Sequence, residues 1–454
     1  MGLSTIILAA GQGTRMHSDL PKVLQPLAGR PLLAHVLDCA AALAADDVCV
    51  VYGHGGDAVR DEFPASSLRW ALQAEQLGTG HAVQQAMPDT PDANRVLVLF
   101  GDVPLLTPQT CRGLLDATPD GDVALLTFDM DDPSGYGRII RDSAGVSRIV
   151  EEKDATPDEK AVPEINTGVL VCPAARLKRW LDSLSNDNAQ GEYYLTDIIE
   201  MAVRDGVTVH GVKAASWTEV MGINDKKQLA EAERALQARL VDELMRQGVG
   251  FADPARVDIR GELKCGKDVF IDVNAVFEGN VELGDGVRIE SNNVLLDSKL
   301  GAGTVVHPNC YIECSATGKN CEIGPFARLR PGVELANRVK VGNFVEIKKS
   351  TVADGSKINH LTYIGDTEIG SGVNVGAGTI TCNYDGANKH KTVIGDGAFI
   401  GSSVQLVAPV RVGAGATIGA GSTITKDVGA DELALERGRQ NAVPGWQRPV
   451  KKGA

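Results

Sequence analysis

A glycine-rich turn flanked by two cations is the first feature of the chain that could do chemistry. The segment LAAGQGTRM, residues 8–16, follows the apolar run over residues 5–9, and Lys22 stands a short distance beyond it. Glycines let a backbone approach a ligand closely and turn its N–H groups towards it. Arg15 and Lys22 would then neutralise a polyphosphate. The sequence therefore predicts a phosphate-binding loop at the end of a buried strand.

Two better-known glycine loops do not fit this segment. The dinucleotide fingerprint G-x-G-x-x-G would need a third glycine at position 16, where the chain has Met16. The Walker A loop needs Gly-Lys-Ser/Thr, which is absent. Glycines at a strand–helix junction are also compatible with a purely structural turn. The added Thr-Arg-Met and the Pro-Lys at residues 21–22 favour nucleotide binding.

A histidine in the second half is the other candidate for chemistry. His360 stands in the segment INHLTYIGD, residues 358–366. A neutral imidazole near pH 7 can accept a proton from an amine that attacks a carbonyl group. A single histidine is more often structural, and we expect that role, or a solvated one, for His81, His307 and His390. For His360 we predict a general base.

The first half has the pattern of an open α/β sheet. Strand-like apolar runs at residues 48–52, 96–100 and 123–127 alternate with amphipathic stretches up to residue 224. This predicts a doubly wound, Rossmann-like α/β domain over residues 1–224. Asp102 follows the second of these runs, at the strand end where such sheets bind ligands. Residues 225–247 contain good helix formers and predict one helical linker.

The second half, residues 248–454, is a ladder of six-residue units. A unit of this size cannot bury its aliphatic residue alone, but three units make one triangular coil, and stacked coils bury the aliphatic residues as a column. The pattern predicts a left-handed parallel β-helix of hexapeptide repeats, and its sharp corners account for many of the 51 glycines. The anchors are Ile271, Phe277, Leu283, Ile289, Leu295, Leu300, Val306, Ile312, Ile323, Leu329, Leu335, Val341, Ile347, Ile394, Ile400, Leu406, Val412, Ile418 and Ile424.

One polar insertion interrupts this ladder. The segment TCNYDGANKHKT, residues 381–392, must leave the coil as a loop. Loops on a rigid solenoid are where function concentrates. The insertion therefore argues against a ladder that serves only as a scaffold, although that alternative stays open.

Composition excludes several classes of protein. The net charge of −14 disfavours a nucleic-acid partner. No apolar run is long enough to cross a bilayer, so we expect no membrane insertion. Nine cysteines, an odd number, favour reduced thiols and a cytoplasmic location. Cys310, Cys314 and Cys321 lack the spacing of a zinc site.

These motifs together resemble those of a known family over nearly the full length. The segments LAAGQGTRM, PKVL, QLGTGHA and FGDVPL resemble those of sugar-nucleotide pyrophosphorylases, and the ladder with INHLTYIGD resembles hexapeptide acyltransferases. In this order they resemble the bacterial bifunctional N-acetylglucosamine-1-phosphate uridyltransferase/glucosamine-1-phosphate acetyltransferases. The resemblance implies acetylation of glucosamine-1-phosphate by acetyl-CoA. Transfer of uridylyl from UTP to N-acetylglucosamine-1-phosphate would follow, with release of pyrophosphate.

For the first reaction the resemblance implies a UTP site, a sugar site and a magnesium site. Arg15 and Lys22 would act on the phosphates, and Asp102 and Asn224 would hold Mg²⁺. Position 100 is Phe, where a Tyr is common in relatives. The contact at this position can be made through the backbone, so the different side chain is compatible with the same role. The residues implied to bind UTP or UDP-N-acetylglucosamine are Leu8, Ala9, Ala10, Gly11, Lys22, Gln73, Gly78, Thr79, Phe100, Gly101, Asp102, Gly137, Glu151, Asn166 and Asn224.

For the second reaction the resemblance implies a sugar-phosphate site beside a coenzyme site. Arg330 and Lys348 would grip the phosphate, Tyr363 and Asn374 the sugar, and Glu346 would orient the base or the amine. The residues implied to contact acetyl-CoA are Ala377, Asn383, Tyr384, Ser402, Ala420 and Arg437.

Hexapeptide helices of this kind generally form trimers, so the resemblance also implies a homotrimer. The segment DELALERGRQ, residues 431–440, would then bring Arg437 towards a neighbour's coenzyme. Two alternatives remain at this point. One is a single-activity sugar-1-phosphate nucleotidyltransferase whose β-helix is structural or regulatory. The other is a non-catalytic subunit that binds sugar nucleotides, which would be expected to have lost Lys22, Asp102 or His360.

Overall fold

The computed structural model describes residues 2–11, 13–53, 56–64 and 67–451. Gln12 of the glycine-rich turn lies outside these described residues. The chain divides into two compact units, residues 1–236 and 237–454, and the division falls inside the helix Lys226–Arg246. Among the described residues, no helix combines the length and the apolar character that a membrane span requires.

The first unit is a mostly parallel sheet with apolar cores on both faces. Side chains alternate along its strands, so Ile6 and Leu8 pack into one core while Ile7 and Ala9 pack into the other. This explains why the strand reads as a continuous apolar run. The predicted α/β fold is confirmed. Along the sheet the strand order is Val209–Lys213, Val123–Asp129, Glu164–Pro173, Arg95–Phe100, Leu3–Ala9, Asp47–Tyr52 and Leu68–Leu72, with Glu164–Pro173 antiparallel to both neighbours.

Further elements surround this sheet. Arg138–Asp142 and Gly145–Val150 form a hairpin that joins it, and Pro26–Leu27 pairs with Arg30–Pro31. The α-helices are Leu32–Ala42, Asp57–Glu62, Thr79–Ala86, Pro108–Asp116, Pro157–Lys160, Ala174–Asp182, Ile198–Arg204, Trp217–Val220 and Lys226–Arg246.

Two central strands of this sheet bring the sequence motifs to one edge. Leu3–Ala9 and Arg95–Phe100 are parallel neighbours, with Leu8 opposite Phe100. Their carboxyl ends therefore meet, and the backbone N–H of Gly101 donates to the carbonyl of Leu8 at 2.9 Å. The glycine-rich turn and Asp102 begin from this shared edge.

The second unit is a left-handed parallel β-helix, as the hexad pattern predicted. Residues one coil apart lie 17 or 18 positions apart along the chain, which is close to three hexads. Every predicted anchor is buried, with at most 5% of its surface exposed. One face carries the strands Gly250–Phe251, Phe270–Ile271, Arg288–Ile289, Val305–Val306, Glu322–Ile323, Lys340–Asn343, Lys357–His360, Asn374–Val375, Phe399–Ile400, Thr417–Ile418 and Leu433–Ala434.

The other faces join at their corners into one continuous array of parallel strands. Its members are Val257–Cys265, Ala275–Leu283, Val294–Leu296, Lys299–Leu300, Tyr311–Glu313, Ser315–Thr317, Arg328–Leu329, Val333–Leu335, Glu346–Lys348, Ser350–Val352, Tyr363–Gly365, Thr367–Ile369, Ile380–Cys382, Thr392–Ile394, Gln405–Val407, Val410–Val412 and Thr423–Ile424. The polar insertion leaves the coil after Cys382, and a single bridge between Tyr384 and Lys389 closes it into a short hairpin-like loop.

One corner of the β-helix changes character along its length. The corner residue has positive φ, which Asn tolerates better than a bulky residue, and Asn292 and Asn309 occupy it in the early coils. In the next coils it is Phe326, Phe344 and Leu361, with φ between 49° and 56°. All three side chains are exposed, and the two phenyl rings stack with centroids 5.3 Å apart. We call these three residues the apolar corner.

Candidate active sites

The first unit has a cavity at the shared strand edge. Most of the residues that the resemblance assigns to UTP line it together: Leu8, Ala9, Ala10, Gly11, Lys22, Gln73, Gly78, Thr79, Phe100 and Asp102. Gly101 lies between two of these residues. The cavity wall also includes residues that the sequence did not single out: Val23, Gln76, Ala82 and Glu192.

Glycine at two positions allows close packing around this cavity. Gly13 has φ of 63°, and a Cβ there would lie 2.7 Å from Cβ of Lys22. The turn therefore packs against the backbone that carries Lys22 only because residue 13 has no side chain. Gly78 has φ of 113°, and a Cβ would lie 2.6 Å from the carbonyl oxygen of Tyr193.

A cluster of one cation and two side chains with oxygen atoms lies at this cavity, where Lys22 and Asp102 line the wall and Asn224 contacts Lys22. The Lys22 ammonium contacts the Asp102 carboxylate and lies 3.1 Å from Oδ1 of Asn224. These residues are far apart in the chain, and the fold brings them together. Lys22 and Asp102 are largely buried, with 11% and 18% of their side chains exposed. A charge pair this sheltered from water is stronger than an exposed one.

The position of Asn224 is set from two directions. The N–H of Ile223 donates to the carbonyl of Asp102 at 2.8 Å, so the returning chain is bonded to the loop after the strand. Upstream, one carboxylate oxygen of the buried Glu219 accepts from the Thr107 backbone at 3.0 Å and from the hydroxyls of Thr107 and Thr110. Glu219 thereby ties the segment that carries Asn224 to the start of the helix Pro108–Asp116.

The donor atoms of this cluster suit a magnesium ion. Asp102 offers a carboxylate and Asn224 an amide oxygen, and both converge on one point that already attracts a cation, the Lys22 ammonium. Mg²⁺ is commonly held by one or two protein oxygens together with substrate phosphates and water. No group of three or more His, Cys, Asp or Glu side chains suited to a metal occurs in the described part of the chain. The residues present therefore fit a metal that a nucleotide helps to bind.

A second cavity adjoins the first and contains the three residues implied for the sugar. Gly137, Glu151 and Asn166 line it, and it shares Thr79 and Phe100 with the first cavity. The N–H of Asn166 donates to the carbonyl of Gly137 at 2.8 Å. Burial raises the pKa of the Glu151 carboxyl, and a hydrogen bond from Thr196 at 2.9 Å opposes that shift. A carboxyl of this kind offers an acceptor for a sugar hydroxyl or amide.

Arg15 stands apart from the other predicted residues of this site. It is exposed on the turn Thr14–Met16 and lines neither cavity. Its charge still acts on the region between the cavities. Burial raises the pKa of the Tyr136 hydroxyl, the Asp102 charge adds to this rise, and the Arg15 charge opposes it. Arg15 is thus within electrostatic reach of Tyr136 in the second cavity without lining that cavity.

The second unit arranges its predicted residues as a column along one edge of the β-helix. The same backbone hydrogen bond repeats from coil to coil along this column. In each case the N–H of the residue that follows one column residue donates to the carbonyl of the column residue on the preceding coil. The column contains Asn343, His360, Ala377, Ser402 and Ala420, and the donors are Leu361, Gly378, Ser403 and Gly421. Arg437 continues it, since its Cδ lies 3.8 Å from the Cβ position of Gly421. The predicted base and four predicted coenzyme residues are therefore collinear.

His360 contacts a residue that the sequence analysis missed. Its Nδ1 lies 2.8 Å from Oδ1 of Asn343, which is directly opposite it on the strand one coil earlier. Glu346, which we expected to orient the base or the amine, pairs with Arg330 at 2.8 Å, and its predicted role stays a prediction. The signal for Asn343 was present in the sequence, because it lies one 17-residue coil before His360.

The residues implied for glucosamine-1-phosphate lie on adjacent coils. Glu346 is opposite Tyr363, and Lys348 is opposite Gly365. The backbone N–H of Arg330 donates to the carbonyl of Ile347, the middle residue of the strand Glu346–Lys348. Asn374 is opposite Lys357, on the strand above that of His360. Side chains of both charges therefore face the same part of the coil surface.

The polar insertion reaches back to these coils. Asn383 is 5% exposed, and its amide donates to the Asp366 carboxylate. A Cβ at Gly365 would lie 2.5 Å from the Tyr363 hydroxyl oxygen and 2.6 Å from Nδ2 of Asn383. A residue implied for the sugar and one implied for the coenzyme thus meet above Gly365. Tyr384 remains exposed, with the Lys389 ammonium 4.1 Å from its ring centroid.

Comparisons with known proteins give two matches within the chain. Residues 5–193 match a family model described as a MobA-like NTP transferase domain. Residues 391–426 match the bacterial transferase hexapeptide model, six repeats. The first match includes every residue that lines the first cavity and most of those that line the second, and the second match includes Ser402 and Ala420 of the column.

The chain also matches relatives over their full length. Proteins named bifunctional protein GlmU are 59% identical in Azoarcus sp. strain BH72, over 99% of this chain and 100% of the relative, and 59% identical in Aromatoleum aromaticum, over 100% of both. The GlmU of Ralstonia nicotianae is 55% identical over 99% of each chain.

Fold and sites therefore define a nucleotidyltransferase joined to a hexapeptide-repeat acyltransferase in one chain. The chain belongs to the family of the bifunctional GlmU proteins. It is accordingly an enzyme of UDP-N-acetylglucosamine biosynthesis with a uridyltransferase and an acetyltransferase activity.

Proposed function

We propose that the two reactions occur at the two separate sets of residues described above. The β-helix site acetylates glucosamine-1-phosphate, and the α/β site then transfers uridylyl from UTP to the N-acetylglucosamine-1-phosphate so formed. The observation that carries the proposal is that each unit gathers one such set from distant positions, the Lys22–Asp102–Asn224 cluster in one and the His360 column in the other. The alternative of a merely structural β-helix does not account for that column.

In the α/β site, a phosphate oxygen of the sugar-1-phosphate attacks the α-phosphorus of UTP, and pyrophosphate leaves. UTP lies in the cavity at the glycine-rich turn and the sugar in the adjoining cavity, so the nucleophile approaches across Thr79 and Phe100. Lys22 and Arg15 balance the phosphate charge. Such a reaction depends on positioning and charge neutralisation more than on a general base.

We infer that Asp102 and Asn224 hold Mg²⁺ when the nucleotide is bound. When present, the ion neutralises phosphate charge that develops as pyrophosphate leaves. The protein residues hold it in place and keep the phosphates near the glycine N–H groups.

In the β-helix site, the amine of glucosamine-1-phosphate attacks the thioester carbonyl of acetyl-CoA. His360 accepts the amine proton, and the coenzyme thiolate is the leaving group. Arg330 and Lys348 neutralise the sugar phosphate, while Tyr363 and Asn374 orient the ring. Asn383, Tyr384 and the column from Ala377 to Arg437 bind the coenzyme.

We also infer a homotrimer that works in the cytoplasm. The apolar corner supports self-association, because Phe344 and Leu361 are 55% and 61% exposed and directly follow the site residues Asn343 and His360. An exposed apolar strip beside a site is typical of an interaction surface. All nine cysteines are free thiols, as is usual in a reducing compartment.

The test is to supply glucosamine-1-phosphate, acetyl-CoA, UTP and Mg²⁺ together and identify the product by mass. The wild type is expected to form UDP-N-acetylglucosamine. His360→Ala should abolish acetyl transfer alone, and Asp102→Ala should abolish uridylyl transfer alone. Loss of both activities in either folded variant would contradict separate sites, and pyrophosphate release without acetylation would favour the single-activity alternative.

A further inference from the structure

A buried amide in the nucleotide cavity has its orientation determined by two neighbours. Gln73 follows the strand Leu68–Leu72, lines the cavity and is 3% exposed. Its Nε2 lies 3.0 Å from the carbonyl oxygen of Gly78 and 3.2 Å from Nδ1 of His81. These two contacts engage both N–H bonds of the amide group.

The identity of the atoms follows from the partners. A backbone carbonyl only accepts hydrogen bonds, so the amide nitrogen must face Gly78. Turning the amide over would place two acceptors against each other. The same nitrogen also donates to Nδ1 of His81, so Nδ1 must act as an acceptor and carry no proton. The single ring proton of the neutral imidazole is then on Nε2.

The His81 ring is itself held in place. His81 belongs to the helix Thr79–Ala86, which begins directly after Gly78. Its ring packs beside that of Tyr193, with centroids 6.4 Å apart. The N–H of Gly80 donates to the Tyr193 carbonyl at 2.8 Å, which fastens the start of the helix to the same segment. The acceptor at Nδ1 is therefore a fixed part of the cavity wall.

We propose that His81 is a positioning residue that presents Gln73 to the nucleotide only as a hydrogen-bond acceptor, and so selects a base that carries an N3–H group. No described residue donates to Oε1 of Gln73, so this atom remains for the ligand. Uracil and thymine have a donor at N3, whereas cytosine has an acceptor there. This inference rests on the proposed uridylyl transfer.

The consequence is discrimination by mismatch. A cytosine ring in the same place would set its N3 acceptor against Oε1 of Gln73, and neither acceptor would have a partner. A buried polar group without a partner is costly, which is how a hydrogen-bonding site rejects the wrong ligand. The same contact does not separate uracil from thymine, because both carry the N3–H group.

The test compares kcat/KM for UTP and CTP, with N-acetylglucosamine-1-phosphate and Mg²⁺, in the wild type and three variants. His81→Leu leaves the Gly78 carbonyl as the only acceptor that holds the amide in place, so a turned-over amide that donates to cytosine N3 becomes less costly, and the UTP-to-CTP ratio should fall about tenfold. His81→Asn keeps an acceptor near the position of Nδ1 and should retain most of the ratio. His210→Leu is the matched control, because His210 lies in the same unit, contacts Asp122 and does not line the cavity.

A merely structural role for His81 would lower both kcat/KM values equally, and an unchanged ratio in His81→Leu would overturn the proposal. Equal loss of the ratio in His81→Asn and His81→Leu would overturn it too. If His81→Leu does not fold, His81→Phe decides, since it keeps a ring beside Tyr193 but has no acceptor. A wild type that transfers no nucleotidyl group would instead contradict the proposed function itself.

Discussion

Nδ1 of His360 lies 2.8 Å from the side-chain oxygen of Asn343, directly opposite it on the preceding coil. An amide oxygen accepts, so Nδ1 carries the ring proton and donates it. The other ring nitrogen, Nε2, is then left to accept a proton from the substrate amine. Asn343 therefore fixes both the orientation and the protonation pattern of the proposed base.

Removal of this contact should slow acetyl transfer without affecting the other reaction. We expect Asn343→Ala to lower kcat for acetyl transfer by about tenfold to a hundredfold, because an unoriented base loses part of its contribution. The measurement is a steady-state assay of coenzyme release. Uridylyl transfer by the same sample serves as the control and should stay at the wild-type value. Unchanged kcat in Asn343→Ala would show that His360 needs no such partner.

Loss of the Asp102 charge tests the proposed metal site. Asp102→Asn keeps the size of the side chain but removes the carboxylate that contacts Lys22. We expect uridylyl transfer to fall by about a hundredfold or more, since charge stabilisation of a phosphoryl group is lost. Acetyl transfer should continue, and excess EDTA on the wild type should reproduce the same selective loss. Asp120→Asn, at an exposed position in the same unit, is the control. Full uridylyl transfer in EDTA would refute the proposed metal role.

The apolar corner allows self-association to be tested apart from stability. Phe344 has φ of 55°, a conformation that Asn adopts more readily than Phe. Phe344→Asn should therefore leave the thermal stability of the coil unchanged or slightly higher, while it shifts the proposed trimer towards monomers. Sedimentation velocity at several protein concentrations measures that shift.

Phe399→Asn is the matched control for this change, because it makes the same substitution at an exposed position away from the corner. It should leave the trimer intact. A Phe344→Asn protein that stays fully trimeric at low concentration would rule out the apolar corner as the contact between copies.

A carboxyl beside the second cavity should make the free energy of unfolding depend on pH. Burial raises the pKa of Asp197 to about 6, and the charge of Glu151 adds to the rise. The folded state therefore holds the proton more tightly than the unfolded state, so this stabilisation is present at acidic pH and is lost as pH rises towards 6. Asp197→Asn never ionises.

The difference in melting temperature, variant minus wild type, should therefore become more positive between pH 4 and pH 7, by about 2 °C or more. Thermal unfolding followed at several pH values measures this difference. Asp187→Asn, at an exposed position, should show no such trend. A constant difference for Asp197→Asn across this range would mean that the carboxyl titrates normally in the folded protein.

Much of the architecture was predictable because it depends on local periodicity. The hexad anchors from Ile271 to Ile424 could be assigned as buried before any coordinates, since a fixed period repeats the same environment on every coil. The strand ending at Ala9 was predictable for a similar reason, as an apolar run flanked by glycines. The candidate residues of the two sites could be predicted because they lie in short motifs of neighbouring residues, such as the turn before Lys22 and the segment around His360.

Contacts between residues that are distant in the sequence could be identified only from the folded chain. The Lys22 ammonium meets Asn224 because the chain returns to the same strand edge, and no local pattern encodes that distance. The pairing of Glu346 with Arg330, and of His360 with Asn343, depends on which side chains face each other across a coil. The sequence by itself determined the two kinds of fold and the residue types that could do chemistry. The tertiary structure decided the partners, because a hydrogen bond requires two atoms within about 3 Å and only packing sets that separation.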